Sequence, residues 1–343
     1  MQYLPENWTF LSYRSEFREK VEVFLSHWFD TSPAMSVQTS GSTGTPKTIS
    51  LLKSRMRASA QRTLEFLHLQ PNNVALLCLS IDTIAGKMML VRALEGNLRL
   101  YLDEPSMNPL KTLNFSIDFV AMVPAQVEVS LNDSPEKWKL IKKCIVGGAP
   151  VSLNLIEQLK KSEITVYQTF GMTETISHIA LRKIGLESES TFKVLNGISV
   201  SQKEGSLVID SPELADEAIE TNDLVELINP KEFEWKGRKD FVINSGGVKL
   251  FPEQIEDKLS NWINVPFYVS SVMDDFWGQV PILVLESRTP FSIEKNNLAP
   301  LVSKYELPKK YVFLNAFIRT ESGKINRFKT NSLILENQLN ELL

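Results

Sequence analysis

Histidine and cysteine are scarce in this chain. Three histidines and two cysteines stand among 343 residues, with none of the clustering that a structural zinc site requires. Cys78 and Cys144 both lie in apolar runs, where buried free thiols are expected rather than a disulfide or a nucleophile. No apolar segment approaches the roughly 20 residues needed to span a bilayer. Residues 1–10 lack the basic start and apolar core of a secretory leader. There is no polybasic tract and no internal repeat, and the formal net charge of -4 opposes a nucleic-acid scaffold, which is usually basic. These absences leave a cytoplasmic protein with no membrane span and no nucleic-acid partner as the expectation.

What is present is an ordinary globular composition, 43% hydrophobic and 23% charged. Residues 14–29 have helical periodicity, with Phe17, Val21, Phe24, Leu25 and Trp28 on one face. Residues 50–67 read as a second amphipathic helix, with Leu52, Met56, Ser59, Thr63 and Phe66 near one side. Short apolar runs at 74–79, 98–102, 119–123, 141–146 and 164–169 read as buried strands, and helical spacing returns at 85–94 and 153–160. This alternation implies an α/β domain with mostly parallel pairing, in which ligands sit beyond the carboxyl ends of the strands. After Gly185 the strands become short and alternating, at 205–209 and 224–228, as in a smaller antiparallel layer. Beyond a boundary at 238–240 come a helix at 252–262, strands at 280–286 and 309–313, and a helical tail at 332–342. The expected organisation is a large N-terminal α/β domain of layered sheets and helices, residues 1–239, and a small α+β domain, residues 240–343.

Four strings carry the chemistry. In the first, Thr39, Ser40, Ser42, Thr43 and Thr45 crowd around Gly41 and Gly44 ahead of Pro46 and Lys47. Such a segment has little to bury, but its hydroxyls, backbone N–H groups and lysine suit an anion such as a nucleotide phosphate. It departs from the Walker pattern because Pro46 occupies the second glycine position and has no N–H to give. The second string runs from Tyr167 through Phe170, Gly171, Met172, Thr173, Glu174 and Thr175. A hydroxyl beside a carboxylate suits phosphate and Mg²⁺; the same pair would serve equally as a helix N-cap and first turn. The third string spans residues 237–256 and contains Arg238, Asp240, Gly246 and Gly247; the fourth spans 319–327 and contains Gly323 and Lys324.

In this order the strings resemble the adenylate-forming superfamily of acyl-CoA synthetases, luciferases and adenylation domains, over residues 38–327. The resemblance implies ATP and Mg²⁺ as cofactors, coenzyme A as co-substrate and a carboxylic acid as substrate. It implies that the loop from Thr39 to Lys47 handles the β- and γ-phosphates. The turn of Gly147, Gly148, Ala149 and Pro150 meets the adenine, on which Phe170 stacks beside Gly171. Thr173 and Glu174 take the phosphate and metal positions, with Glu174 as the metal ligand. Asp223 holds the ribose hydroxyls, although the usual preceding glycine is absent. The resemblance further implies that Arg238 contacts ribose or phosphate and that Asp240 is a hinge on which the small domain rotates. It implies that Gly246 and Gly247 line a thiol tunnel after that rotation, and that Lys324 is the catalytic lysine of adenylation.

The chain is short for this superfamily ahead of the phosphate loop, and the trimming is similar to that of the compact o-succinylbenzoate–CoA ligases of menaquinone synthesis. Those ligases carry a His-x-Ser-Gly string and an arginine further along the same helix. Here Thr83 takes the histidine position, Gly86 and Arg92 fit, and Lys87 is extra. A spacing of five turns Lys87 and Arg92 to different sides of a helix. Either could bind a second carboxylate on the acid, and both could equally be snorkelling surface cations. Thr175, Ser177 and His178 resemble the Thr-x-Ser-Gln of those ligases, with His178 in place of glutamine. The resemblance implies a ligase for an aromatic or dicarboxylic acid, with o-succinylbenzoate leading. Another aryl- or acyl-CoA ligase, or an adenylation domain loading a carrier-protein thiol, stands as the alternative, and a homodimer is compatible with the sequence.

Overall fold

Continuous apolar runs become strands covered on both faces. The computed structural model describes residues 3–12, 15–38, 48–320, 325–335 and 339–342. In chain order the first half comprises β1 (Trp8–Phe10), α1 (Ser15–Phe29), β2 (Ala34–Gln38), β3 (Thr48–Leu52), α2 (Lys53–Phe66), β4 (Val74–Leu77), α3 (Ile84–Glu95), β5 (Arg99–Leu102), β6 (Phe119–Met122), α4 (Pro124–Asp133), β7 (Cys144–Val146), α5 (Leu153–Lys161) and β8 (Thr165–Gly171). Antiparallel strands follow: β9 (His178–Gly185), β10 (Phe192–Val194), β11 (Ser199–Lys203), β12 (Ser206–Asp210), β13 (Ile219–Asn229) and β14 (Glu232–Arg238). Among the described residues these build one twelve-stranded sheet in the order β1-β5-β4-β6-β7-β8-β9-β10-β14-β13-β12-β11, with β2 and β3 as a separate hairpin.

Alternate residues of the central strands feed two cores. Ala75, Leu77, Phe119, Ala121 and Ile145 face a cluster that includes Phe17, Val21, Trp28, Met56 and Met89 of α1, α2 and α3. Leu76, Val120, Met122, Cys144 and Val146 face Val127, Leu131, Leu155 and Leu159 of α4 and α5. Cys78 and Cys144 are buried and free, as their apolar surroundings suggest.

Three expectations are corrected. The antiparallel strands do not form a smaller layer of their own; they extend the parallel sheet. The cause lies at residues 172–177, a tight turn after which β9 pairs antiparallel along the whole of β8, from Gly171↔His178 to Thr165↔Gly185. A chain that reverses in a tight turn can only pair antiparallel. The second helix begins at Lys53, not residue 50, because residues 48–52 pair as β3 with β2 and leave Leu52 exposed. The hairpin register ends at Gln38↔Thr48, which brings the two flanks of residues 39–47 side by side. The tail is not the expected helix: among its described residues, Ser332 and Leu333 form a turn and residues 340–341 are a strand.

The second sheet begins after the large one ends at Arg238. It comprises β15 (Ile243–Ser245), β16 (Val248–Leu250), α6 (Pro252–Leu259), β17 (Phe267–Asp274), β18 (Gly278–Glu286), α7 (Lys295–Leu298), β19 (Lys310–Leu314), α8 (Arg327–Asn331) and β20 (Asn340–Glu341). β20 pairs with β19 and Leu342 packs on the core below, so sheet pairing takes the tail away from a helix. Helix α6 carries the junction between the two parts. Gln254 donates to the Lys236 carbonyl at 3.0 Å, and the Arg238 N–H donates to Glu253 Oε1 at 3.3 Å. Glu253 Oε2 is buried with no hydrogen-bond partner. Burial pushes this carboxyl up to about 7; Glu256 adds to the effect and Arg327 opposes it.

A carboxyl raised in the fold stabilises most below its unfolded value and loses that contribution as pH rises through its folded value. Glu253→Gln should therefore gain on the order of 2 kcal/mol over the parent between pH 5 and pH 8. Urea unfolding at a series of pH values measures this, and parallel pH profiles for the two proteins would refute it.

Candidate active site

The carboxyl ends of β4, β7 and β8 lie at one edge of the large sheet, and the predicted site residues of 147–150 and 170–178 lie there. After β7, a Cβ on Gly147 would lie 1.9 Å from Thr169 Oγ1, so only glycine lets these neighbouring strand ends close. Gly148 follows with φ +83, and Gly148, Ala149 and Pro150 are exposed. At the end of β8, Phe170 is half-buried against Phe192 and Phe233, with ring centroids 5.5 and 5.1 Å away.

The next turn is organised by Thr175, which is fully buried. The Met172 N–H donates to its hydroxyl at 3.0 Å, and that hydroxyl lies 2.9 Å from the Met172 carbonyl and 2.7 Å from the Ser177 carbonyl. The turn leads straight into β9, so Thr173 caps no helix. Thr173 is half-buried and Glu174 exposed on the outside of the turn. Ile176 has φ 68 and is 1% exposed. A β-branched residue in the left-handed region is strained, and it holds there because the surrounding turn over-determines it. Gly171 backs against this turn: a Cβ would lie 2.4 Å from the Ser177 carbonyl oxygen.

Helix α3 supplies the cation beneath the turn. Thr83 is its N-cap, accepting from the Gly86 N–H at 3.3 Å, which is a structural use of the histidine position. A Cβ at Gly86 would lie 2.2 Å from the Ser80 carbonyl oxygen, so the first turn of α3 rests on the chain leaving β4. Lys87 spends its ammonium on the carbonyls of Ile81 and Asp82, at 2.7 and 3.2 Å. Arg92 is not a surface cation: it is 2% exposed. One of its nitrogens, Nη2, donates to Ser177 Oγ at 2.6 Å. Its Nε is buried with no partner. Burial pulls the guanidinium down to about 9, still charged at neutral pH, and among the described residues no carboxylate pairs with it. His178 is buried beside it, with Nε2 3.0 Å from Thr63 Oγ1 and Nδ1 3.4 Å from Ser177 Oγ. Thr63 had been legible only as part of the inward stripe of α2; nothing in its spacing marks it as a histidine partner.

A second group lies where β13 meets β14. Asp223 opposes Arg238 in register, its Oδ1 accepts from Trp235 Nε1 at 2.9 Å, and its Oδ2 is 3.7 Å from Arg238. Burial raises its carboxyl despite those partners. Arg238 also pairs with Asp240 at 3.0 Å, and Asn222 donates to the same carboxylate. Trp235 was missed from the sequence, since its role depends on cross-strand register. Gly246 and Gly247 turn between β15 and β16 with φ 56 and 82, and a Cβ on Gly246 would lie 2.5 Å from the Trp277 ring. Thr39, Ser40, Gly41, Ser42, Thr43, Gly44, Thr45, Lys47 and Lys324 lie outside the described residues.

A pocket of about 390 Å³ opens elsewhere, lined by Arg62, Phe66, Tyr167, Lys183 and Lys193 among others. Each of those cations has its own carboxylate: Arg62 pairs with Glu213, Lys183 with Glu187 and Lys193 with Glu189. Arg92 differs from them in having none.

Residues 18–210 match the model of the AMP-binding enzyme family, more than half of the chain, and the chain belongs to that family. An acyl-CoA synthetase (AMP-forming)/AMP-acid ligase II-like protein from Dyadobacter fermentans is 36% identical, with a TM-score of 0.63, over 94% of this chain and 95% of that one. A 2-succinylbenzoate–CoA ligase from Staphylococcus epidermidis is 28% identical over 86% of this chain and 68% of its own length. The fold is shared with o-succinylbenzoate CoA synthetase from Bacillus subtilis, solved in complex with an acyl-adenylate intermediate, at 22% identity and a TM-score of 0.77 over 89% of this chain and 69% of that one.

Burial and the neighbouring Arg92 hold His178 well below the ordinary imidazole range, so the fold keeps it neutral. A base depressed in the fold stabilises fully above its unfolded value, near 6.5, and loses that contribution as pH falls. Stability should drop below about pH 6.5 with a slope approaching 1.4 kcal/mol per unit from this group. His178→Gln should flatten that slope in thermal unfolding followed from pH 7 to pH 5; an unchanged slope would contradict the assignment.

Proposed function

We propose that the chain is an ATP-dependent acid–CoA ligase whose acid carries a second carboxylate, with 2-succinylbenzoate as the substrate and 2-succinylbenzoyl-CoA as the product. The observation that carries the acid assignment is Arg92, a buried cation tied to the turn after β8 with Nε unpartnered and no carboxylate partner among the described residues. 2-Succinylbenzoate has one carboxylate to activate and one to spare. The relatives named 2-succinylbenzoate–CoA ligase support the same choice. A soluble, cytoplasmic enzyme of menaquinone synthesis fits this reading, and no helix among the described residues is long and apolar enough to cross a membrane.

The reaction has two halves. The acid's carboxylate attacks the α-phosphorus of ATP, an O–P bond forms and pyrophosphate leaves. The thiol of coenzyme A then attacks the acyl carbonyl and AMP leaves. Two anions meet in the first half, so positive charge must stand where negative charge develops. In this reading Lys47 and the hydroxyls of residues 39–45 hold the β- and γ-phosphates, Thr173 contacts phosphate, and Lys324 serves the adenylation step. The turn carries one exposed carboxylate, Glu174, beside the Thr173 hydroxyl. That suits Mg²⁺, which is held by one or two carboxylates together with substrate phosphates and water; Glu174, exposed at the turn, would be its protein ligand, and the ion would supply charge neutralisation. Asp223, fixed by Trp235, has carboxylate lone pairs for the ribose hydroxyls, with Arg238 beside it. Gly148, Ala149, Pro150, Phe170 and Gly171 would border the base. Residues 1–239 act as the nucleotide and acid domain, and residues 240–343 turn about Asp240 to bring Gly246 and Gly247 to the thiol. A mobile lysine closes the site for one half-reaction and vacates it for the next.

A pyrophosphate-release assay over a panel of acids, with and without coenzyme A, tests the reading. Release should be best with an aromatic dicarboxylic acid, and thioester should form only with coenzyme A. Arg92→Gln should raise KM for that acid about 100-fold, the loss of one charged hydrogen-bonding partner, and change a monocarboxylic analogue by less than about threefold. No release with any acid would sink the ligase reading. Adenylation without thioester formation would point to a carrier-protein thiol.

A further inference from the structure

The side chains around Arg92 form one chain of hydrogen bonds whose proton order is dictated from the arginine end. At one end a guanidinium can only donate. Arg92 Nη2 therefore gives its proton to Ser177 Oγ, 2.6 Å away. At the other end a carbonyl can only accept, and Thr63 Oγ1 lies 3.2 Å from the Ser59 carbonyl oxygen one turn back along α2. The single hydroxyl proton of Thr63 goes to that carbonyl, which leaves lone pairs facing His178 Nε2 at 3.0 Å. Nε2 must then carry the imidazole proton. A neutral ring protonated at Nε2 has a bare Nδ1, and the proton of Ser177 turns to it across 3.4 Å. The opposite tautomer would aim two donors at Ser177 and leave the serine proton without an acceptor. The order thus runs from Arg92 through Ser177, His178 and Thr63 to the backbone of α2.

We propose that His178, as the Nε2–H tautomer, is the positioning residue of the acid site: it turns the Ser177 lone pair toward Arg92 and holds the guanidinium with Nε left unpartnered for the acid's second carboxylate. This deepens the reading of Arg92 given above and rests on it. Ser177 orients and does not bind, since its one proton is committed to His178. The resemblance noted from the sequence has glutamine at this position. A glutamine amide has the same polarity, with N–H₂ to give to Thr63 and a carbonyl oxygen to receive from Ser177. Histidine is therefore an equivalent connector here rather than a catalytic base. The left-handed Ile176 and the buried Thr175 serve the same end, because they set the backbone from which Ser177 projects.

The test has two arms on the full chain. Nitrogen-15 NMR of imidazole-labelled protein reads the tautomer directly, and the other two histidines, His27 and His68, are exposed, so His178→Gln identifies the buried signal. A protonated Nε2 and a bare Nδ1 at neutral pH are expected; the reverse tautomer or an imidazolium overturns the proton order. In the kinetic arm, His178→Phe and Thr63→Val should each raise KM for the dicarboxylic acid about 10-fold or more, with kcat changed far less. His178→Gln should restore KM to within about threefold. If glutamine performs no better than phenylalanine, the positioning role is wrong and the histidine is only a packed ring. If the unmodified enzyme does not distinguish dicarboxylic from monocarboxylic acids, the reading of Arg92 fails and takes the binding role of His178 with it. The NMR arm still decides the proton order in that case. Should His178→Phe not fold, Thr63→Val, which keeps the side-chain shape, carries the kinetic comparison.

Discussion

A guanidinium taken out of water costs several kcal/mol unless an anion meets it, and no described carboxylate meets Arg92. The surroundings are arranged around that unmet charge. Ser177 gives it one oxygen, His178 stays neutral beside it, and Thr63 anchors His178 to α2. Arg62, also buried and on the neighbouring helix, has Glu213. The contrast between the two arginines is the strongest physical reason to regard one as a staple of the fold and the other as waiting for a ligand.

The sheet explains why this charge lies where it does. Parallel strands β4, β6, β7 and β8 end together, and the chain leaving each of them is free to carry polar side chains. The reversal at residues 172–177 sends β9 back along β8, which places Ser177 and His178 above α3 and α2. Glycines at 86, 147 and 171 permit the close approaches this needs; a side chain at any of them would run into backbone or into Thr169. The two ends of the proposed nucleotide site are held differently. Gly148 follows β7 and Phe170 sits on β8, whereas Asp223 and Arg238 face each other across β13 and β14, at the junction. Glu253 closes that junction from α6 with a carboxyl that is easier to bury neutral than charged, so this contact is sensitive to pH.

Much of this was legible in the sequence, for identifiable reasons. The five buried residues of α1 follow from its 3.6-residue period, and the central strands follow from their continuous apolar runs. What escaped depends on pairing between distant segments. Residues 50–52 look helical until Ala34–Gln38 is available as a strand partner. The antiparallel strands look like a separate layer until β9 is seen to pair with β8. The tail looks helical until β19 offers an edge. Trp235 and Thr63 carry no local mark of function, since each acquires its role from a residue in another element, Asp223 in one case and His178 in the other. Spacing alone did not tell a buried Arg92 from a surface cation, because spacing does not report burial.

The central claim is that Arg92 is the counter-ion of the substrate's second carboxylate. Isothermal titration with a pair of non-hydrolysable acyl-sulfamoyl adenosines measures it without chemistry intervening, the two ligands being identical except that one lacks the second carboxylate. The account predicts about 100-fold tighter binding of the carboxylate-bearing ligand, roughly the worth of one buried charged hydrogen-bonding pair, and loss of most of that preference in Arg92→Gln. Equal affinity of the two ligands for the unmodified protein would contradict it.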